Sequence, residues 1–295
     1  CENMIRLFFA ITEAGKGAGR PKDIPIATLT KVGVLGAGMM GAGIAYVTAM
    51  AGLDVVLLDM QQAGADKGKA HAEDLIKKRV SRRRMDKDKG EATLARIHAT
   101  TDFAELAGCE LVIEAVFEDR AIKADVTQKT LAVTGDGITF ASNTSTLPIT
   151  GLAGASSRPD NFIGLHFFSP VDRMPLVEII MGKETGDGAL AVAIDYVKAI
   201  RKTPIVVNDS RGFYTSRVFG TYVREGLALL ADGVAPALIE NAGKMAGMPV
   251  GPLAMADEVS IDLMYKIGKQ TREDMGDDYI AVPGDDLVQK LVEDL

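Results

Sequence analysis

Residues 32–46 read Val-Gly-Val-Leu-Gly-Ala-Gly-Met-Met-Gly-Ala-Gly-Ile-Ala-Tyr, and this stretch contains the pattern G-x-G-x-x-G. A short apolar strand pattern precedes the glycines, and a helical run over about residues 39–51 follows them. In that context glycine permits a tight turn, a close backbone approach to a pyrophosphate and close packing of helix on strand. The stretch therefore predicts a dinucleotide site with the phosphates at the helix N-terminus. The residues expected at the cofactor are Gly36, Gly38, Met39, Met40 and Gly41.

A second apolar run, residues 54–58, ends at Asp59, where a carboxylate can accept hydrogen bonds from the adenosine ribose. No arginine for a 2′-phosphate follows in residues 60–62, so NAD is favoured over NADP. Two other interpretations of the uncharged residues 32–53 are a membrane span and a structural glycine turn. Six glycines in a strand–turn–helix pattern argue against the span.

Composition places this chain of 295 residues among globular proteins of one large or two ordinary domains, with 47% apolar and 25% charged residues. The net charge of −7 argues against general nucleic-acid binding. No signal peptide or further membrane segment is evident. Only Cys1 and Cys109 are present, which fits a reducing compartment such as the cytoplasm. Three histidines without H-x-x-x-H spacing predict no metal site.

The order of patterns predicts an α/β fold, in which a Rossmann-type, doubly wound, mostly parallel sheet precedes an all-helical C-terminal domain. We expect three segments: a helix end and flexible linker over 1–28, the NAD-binding domain over 29–207, and the helical domain over 208–295. Because the chain begins with a helix and stops inside a helical pattern, we expect a fragment of a longer polypeptide.

Two polar residues stand out against apolar strand patterns. His166 ends the run 162–166, and Glu178 is flanked by apolar residues on both sides. A buried carboxylate needs a partner, and a histidine beside a nicotinamide suits removal of a hydroxyl proton. A satisfied core histidine and a surface glutamate on an edge strand remain equally open on spacing alone.

A set of motifs resembles the L-3-hydroxyacyl-CoA dehydrogenase family over roughly residues 29–275. The motifs are Gly36-Ala-Gly-Met-Met-Gly-Ala-Gly-Ile, Ser142-Asn-Thr-Ser145, His166-Phe-Phe-Ser-Pro, Pro175-Leu-Val-Glu178 and Gly247-Met-Pro-Val-Gly-Pro252 with Asp257 following. The resemblance implies oxidation of (S)-3-hydroxyacyl-CoA to 3-oxoacyl-CoA by NAD⁺ in fatty-acid β-oxidation.

The resemblance also implies roles for single residues. His166 would be the general base and Glu178 its partner, and Ser145 would bond the substrate's 3-oxygen within the cofactor site. Asp59 would bind the ribose, and Glu118 with Lys123 would line the cofactor site. The chain departs from the family at Ser216, where an active-site asparagine is usual, and at Ser169, which is often asparagine.

Residues 1–28 resemble the join between an enoyl-CoA hydratase domain and the dehydrogenase in the α chain of the fatty-acid oxidation complex. This implies a hydratase domain missing here, a thiolase partner and a homo-oligomer. The basic stretch 77–84 carries six positive charges and lies where the family binds CoA, although it also fits a solvated helix face. The alternatives are a related Rossmann 3-hydroxyacid dehydrogenase and a non-catalytic dinucleotide-binding protein.

Overall fold

The computed structural model describes residues 2–281 and 284–293, without the side chain of Asp274. This part of the chain forms two compact units, of which the first ends at Tyr214 and the second begins at Thr215. The sequence pattern predicts a helix over 287–295, and its last two residues, like Cys1, lie outside the described residues.

The first unit contains one eight-stranded sheet, built from the short apolar runs of the sequence. Its strands are β1 (Lys31–Leu35), β2 (Asp54–Leu58), β3 (Ile97–Thr100), β4 (Leu111–Glu114), β5 (Thr139–Ser142), β6 (Phe162–Phe167), β7 (Leu176–Met181) and β8 (Thr203–Asn208). The spatial order is β3-β2-β1-β4-β5-β6-β7-β8, and the pairs from β3 to β6 are parallel. The strand order reverses between β1 and β4, and ligands bind outside the carboxyl ends of strands at such a switch point.

The strands β7 and β8 run against the other six. β7 pairs antiparallel with β6 and parallel with β8. The amino ends of β7 and β8 therefore lie at the edge where the parallel strands end. The doubly wound, mostly parallel sheet expected from the sequence is confirmed.

One helix precedes the strands in the chain, and the others lie between strands and cover the sheet. They are α1 (Glu2–Lys16), α2 (Met39–Met50), α3 (Gln62–Ser81), α4 (Lys87–Ala95), α5 (Arg120–Thr134), α6 (Ile149–Ala153) and α7 (Asp187–Ala199). Alternate strand residues belong to different apolar clusters: Leu57 belongs to the cluster that includes residues of α2 and α7, and Val56 to the cluster that includes residues of α5 and α6. Such alternation gives a strand two buried faces, which explains why these strands are apolar throughout.

The segment before the sheet is attached to it, in contrast to the flexible linker predicted around residues 15–22. The helix α1 continues to Lys16 and contacts β8. Beyond it, the Arg20 guanidinium donates to both carboxylate oxygens of Asp195 in α7, at 2.7 and 2.8 Å, and to three backbone carbonyls. The Ala27 amide also donates to Asp195. Long-range polar contacts of this kind are not visible in a glycine-rich sequence pattern.

Two further elements differ from expectation. The sequence predicts one helix over 65–85, but α3 ends at Ser81, where Arg83 takes a positive φ of 55°, and α4 then begins behind the Asp86 cap. Strand β3 is not predicted, because only Ile97 and Thr100 of its four residues are buried at the edge of the sheet.

The second unit is helical in its described residues. It contains α8 (Thr215–Ala231), α9 (Pro236–Met245), α10 (Pro252–Val259), α11 (Ile261–Met275) and α12 (Asp285–Glu293). Its buried core consists of Val223, Leu227, Ala256 and Val288. The predicted all-helical domain is confirmed.

Within residues 2–281 and 284–293, no helix combines the length and apolar character that crossing a membrane requires. The same residues contain no cluster of three histidine, cysteine or carboxylate side chains that would hold a metal ion.

Candidate active site

The glycine turn after β1 is shaped by steric exclusion. Gly36 has a φ of +87°, and a Cβ at Gly41 would overlap the carbonyl oxygen of Gly36. A Cβ at Gly38 would meet nothing within 4 Å, so the backbone there faces open space. The helix α2 begins directly after Gly38, with Met39 exposed and Met40 half-buried. Free amides at this helix start favour an anion.

Asp59 lies beside this turn at the end of β2. Its Oδ2 accepts a hydrogen bond from the Ala37 amide at 2.8 Å, and its Oδ1 is 3.4 Å from the amide nitrogen of Gln61. A Cβ at Gly64 would stand 2.7 Å from the same carboxylate. The structure thus places the predicted ribose ligand against the predicted phosphate turn, and the open turn, free helix start and carboxylate fit an NAD molecule.

His166 and Glu178 are directly opposite each other in the antiparallel pairing of β6 and β7. The distance from His166 Nδ1 to Glu178 Oε2 is 2.8 Å. The pair is shielded from water, since His166 is 7% exposed and Glu178 is fully buried. The other carboxylate oxygen, Oε1, accepts a hydrogen bond from the Tyr214 amide at 3.1 Å.

Two phenylalanines surround the imidazole. The ring centroids of His166 and Phe168 are 4.5 Å apart, and those of His166 and Phe213 are 6.0 Å apart. Phe213 is buried and has a positive φ of 49°. This apolar surround holds the ring in place against the carboxylate.

Ser145 lies in a turn that follows β5, and Glu118 organises that turn. Glu118 Oε1 accepts from the Thr144 hydroxyl at 2.6 Å and from the amides of Ser145 and Thr146 at 3.1 and 3.2 Å. The neighbouring Asn143 ties the turn to β6, because its Oδ1 accepts from the Phe167 amide at 2.9 Å. The turn carrying Ser145 is thereby fixed next to the strand carrying His166.

Family models match this architecture on both sides of the unit boundary. The 3-hydroxyacyl-CoA dehydrogenase NAD binding domain matches residues 31–210, and the C-terminal domain of the same family matches residues 212–294. The chain belongs to the 3-hydroxyacyl-CoA dehydrogenase family. The predictions of this family, of an oxidoreductase and of NAD as cofactor are confirmed.

Single relatives agree with the family models. The chain is 40% identical over 276 residues to the fatty acid oxidation complex subunit alpha of Shewanella frigidimarina, covering 93% of this chain and 39% of that one. It thus spans about two fifths of that relative's length.

Solved structures resemble the chain as well. The (S)-3-hydroxybutyryl-CoA dehydrogenase of Ralstonia eutropha has a TM-score of 0.85 at 34% identity, with 90% of this chain and 94% of that one covered. The 3-hydroxybutyryl-CoA dehydrogenase of Escherichia coli has a TM-score of 0.80 at 30% identity, with 84% and 53% covered.

Lys123, a cofactor-site residue by family resemblance, is buried rather than open. Its ammonium is 2.9 Å from both carboxylate oxygens of Glu114 and 3.3 Å from Glu118 Oε2. Glu114 was not singled out from the sequence, although it resembles Glu178 in being a carboxylate within an otherwise apolar strand. The sequence also did not predict the contacts of the Tyr214 amide and of Phe213, because no side-chain pattern indicates them.

Two positions where the chain departs from the dehydrogenase family lie in different units. Ser169 is in the first unit, with its hydroxyl 3.7 Å from the Met39 sulfur. Ser216 lies in the first turn of α8 in the second unit, and its active-site role stays a prediction.

Part of the basic stretch lines a cavity of about 900 Å³ in the first unit. The basic residues around it are Arg79, Arg83, Arg84, Lys87, Lys89 and Arg201, accompanied by the carboxylates of Asp86 and Asp172. Arg82, which the sequence groups with its neighbours, does not line it. The excess of positive charge suits an anionic ligand.

Proposed function

We propose that this chain oxidises (S)-3-hydroxyacyl-CoA to 3-oxoacyl-CoA with NAD⁺, as the dehydrogenase step of fatty-acid β-oxidation. The observation that carries the proposal is the buried contact of 2.8 Å between His166 Nδ1 and Glu178 Oε2. General hydroxyacyl-CoA oxidation follows from the family, whereas the substrate, the pathway and this pair's role are the proposal.

In this mechanism Glu178 fixes the tautomer of His166. An ionised carboxylate only accepts hydrogen bonds, so Nδ1 carries a proton and Nε2 presents a lone pair to the substrate hydroxyl. Nε2 then takes the hydroxyl proton while the carbinol carbon loses its hydride. Bound NAD⁺ supplies the hydride acceptor. The charge that develops on the imidazole is compensated by Glu178, whose second oxygen is held by the Tyr214 amide.

Two serines are also proposed to take part in the reaction. Ser145 sits in a turn that Glu118 fixes by four hydrogen bonds, so its hydroxyl is suited to bond the 3-oxygen of the substrate. We assign Ser216 the place of the family's asparagine, where its shorter hydroxyl supplies a single donor. Asp59 is proposed to bind the ribose of the cofactor beside the glycine turn, and Glu118 with Lys123 is proposed to line the cofactor site.

The basic cavity is proposed to receive the anionic adenosine phosphates of CoA. Its support is the cluster of six cationic side chains, three of them from residues 79–84. Phosphate recognition by arginine is charge-assisted and often bidentate, which makes Arg79, Arg83 and Arg84 the main candidates.

Partners are proposed on the likeness to the α subunit of a fatty acid oxidation complex. We infer an enoyl-CoA hydratase domain in the same polypeptide, a thiolase subunit beside it, assembly as a homo-oligomer and a cytoplasmic location in a bacterium. Size measurement of the natural full-length protein, alone and with the thiolase, tests these assignments.

The decisive experiment measures NADH oxidation with acetoacetyl-CoA and, in parallel, with free acetoacetate. We expect turnover with the thioester and at least about a hundredfold lower kcat/KM with the free acid, because the CoA contacts are lost. Equal rates would favour a 3-hydroxyacid dehydrogenase. NADH binding without turnover of either compound would favour a non-catalytic dinucleotide-binding protein. NADPH serves as the cofactor control.

A further inference from the structure

Three charged side chains meet beneath the Ser145 turn. The ammonium of Lys123 stands 2.9 Å from both oxygens of Glu114 and 3.3 Å from Glu118 Oε2. Glu114 also accepts from the Ser142 hydroxyl and, at 3.3 Å, from the Val116 amide. One lysine is therefore held between two carboxylates at the carboxyl ends of β4 and β5.

Burying these charged side chains has a free-energy cost that an apolar core would not have. Glu114 and Lys123 are only 1% and 2% exposed, whereas the Glu118 side chain is 37% exposed. Burial raises the pKa of Glu114, against the opposing effects of Lys123, Ser142 and the Val116 amide. Two apolar side chains of the same volume would fill this space with a smaller desolvation cost. The buried pair of Glu114 and Lys123 therefore points to a role other than stabilising the fold.

The contacts of Glu118 show where that task lies. Burial acts to raise the pKa of Glu118, but Lys123 and the donors of the turn outweigh it, so its pKa is lowered. An ionised Glu118 is the acceptor that the Thr144 hydroxyl and the Ser145 and Thr146 amides need. Glu118 and Glu114 share one ammonium group. The position of Lys123 therefore decides how strongly Glu118 interacts with the lysine and how strongly with the donors of the turn.

We propose that Glu114 is a positioning residue, which holds the Lys123 ammonium away from Glu118 and so leaves Glu118 free to fix the Ser145 turn. Ser142, at the other end of the turn, is held by the same carboxylate. Glu114 touches neither Ser145 nor His166 by any hydrogen bond, and it acts through its two neighbours. The test by kcat and KM for acetoacetyl-CoA rests on the proposed function. The test by the NADH Kd rests on NAD binding alone.

The charge of Glu114 is separable from its volume. Glu114→Gln keeps the volume and removes the charge, so Lys123 turns to Glu118 and draws it off the turn. Glu114→Asp keeps the charge but is one methylene shorter. A role in packing alone predicts that glutamine substitutes better than aspartate, whereas a role in holding the ammonium predicts the reverse.

The experiment compares these two variants with Thr130→Val as the matched control. Thr130 is fully buried in α5, the helix that carries Lys123, and its hydroxyl bonds only the backbone of its own helix, at Val126. For each purified protein we would measure the melting temperature, the NADH Kd, and kcat and KM for acetoacetyl-CoA. We expect Glu114→Gln to lower kcat/KM by about tenfold to a hundredfold, as displaced positioning groups do. Glu114→Asp should lose less, and Thr130→Val should stay within about twofold of the unchanged protein.

Several results would overturn the inference. These are kinetics of Glu114→Gln within about twofold of the unchanged protein, a better kcat/KM for glutamine than for aspartate, or an equal loss in Thr130→Val. If Glu114→Gln does not fold, the inference is tested with Glu114→Asp and Ser142→Ala. It stands only if both variants lower kcat/KM more than Thr130→Val does. If the unchanged protein lacks turnover, the proposed function fails instead. The NADH Kd then tests the inference by itself, with a rise of at least about threefold expected in Glu114→Gln and none in Thr130→Val.

Discussion

The imidazole of His166 is held at one nitrogen, by a carboxylate that is itself held by a backbone amide. If His166 is the base, His166→Gln should lower kcat by about two to four orders of magnitude, the usual effect of a positioned general base. The melting temperature and the NADH Kd should change little. Near-normal turnover at every pH from 6 to 9 would exclude His166 as the base.

Glu178 should act together with His166 rather than independently. Glu178→Gln should also lower kcat, and the double variant should be little slower than His166→Gln, because residues that act as one catalytic unit are strongly non-additive. Stopped-flow or steady-state rates for the four proteins complete the cycle. Fully additive losses would show that Glu178 serves the strand and not the base.

Asp59 makes a prediction about cofactor affinity. Asp59→Ala should raise the NADH Kd by about ten- to a hundredfold, because charge-assisted hydrogen bonds to the ribose are lost. Asp54→Ala is the matched control, since Asp54 begins the same strand and pairs with Arg96 on the surface. Fluorescence titration measures both. A tighter affinity of the unchanged protein for NADPH than for NADH would contradict the assignment of Asp59.

Some residues of the candidate site could be predicted from the sequence, and others could not. A carboxylate between apolar residues left two interpretations of Glu178 open, a buried partner of His166 and a surface residue, and the structure places it against the histidine. The Tyr214 amide and the placement of Phe213 depend on a backbone turn after β8, which involves no distinctive side chain. Glu114 was visible by the same criterion as Glu178, but its partner Lys123 lies nine residues away on a helix, so the pairing was not.

Among the elements, the turn from α3 to α4 carries the proposed CoA phosphate site. Reversing Arg79, Arg83 and Arg84 to Glu should raise the KM for acetoacetyl-CoA by tenfold or more, with a much smaller effect on a pantetheine thioester that lacks the adenosine phosphates. Lys67→Glu changes the charge of an exposed residue elsewhere on α3 and is the control. Equal effects on both substrates would reduce the basic stretch to a solvated surface.

The attachment of the N-terminal segment to α7 should depend on pH. Burial acts to raise the pKa of Asp195, but its bonds to Arg20 and the Ala27 amide outweigh burial, so the pKa is lowered. A carboxyl with a lowered folded-state pKa stabilises the fold above its unfolded value of about 3.9 and loses this contribution as the pH falls through the folded value. We therefore expect the attachment to be complete above about pH 5 and to weaken below about pH 4.

Asp195→Asn should cause the same loss at neutral pH. We expect a decrease of about 2 kcal/mol in the free energy of unfolding, because hydrogen bonds to a charged group are removed. Trypsin should then cut faster after Lys16 and Lys22. Asp187→Asn, an exposed change on the same helix, is the control. Unchanged cleavage in Asp195→Asn would show that other contacts hold the segment.

Element boundaries were predictable where the pattern was long and uniform. The strand over 54–58 and the helix α7 follow their apolar periods closely. The edge strand β3 was not predictable, since a four-residue strand with an exposed His98 gives too short an alternation. The break between α3 and α4 depends on a positive φ at Arg83, which arginine propensity does not suggest.

For the whole molecule, the two units differ in the size of their cores. The sheet of the first unit has large apolar clusters on both faces, whereas the described residues of the second unit form one small cluster around Val223, Leu227, Ala256 and Val288. Native-state hydrogen exchange should therefore show the largest opening free energies in β1, β4 and β5 and smaller ones in α8–α12. Saturating NADH should raise protection in the first unit above all. Equal protection in both units would indicate that another chain covers the helical one.

The overall architecture was accessible from the sequence because the glycine turn, the alternation of strands with helices and the later loss of strand signals all agree. The reversal of β7 and β8 was not, since a strand pattern carries no direction. That reversal places residues 166 and 178 opposite each other.

Because the two residues are cross-strand partners, their contact reports on register. Antiparallel β6 and β7 can bring Glu178 to His166 in one alignment only, and a slip of one residue would turn the carboxylate to the other side of the sheet. With Glu178 ionised, Nδ1 bears a proton in a water-shielded hydrogen bond, and such protons resonate far downfield in nuclear magnetic resonance spectra. A single resonance of this kind, followed during refolding, would time the moment at which β6 and β7 pair in register.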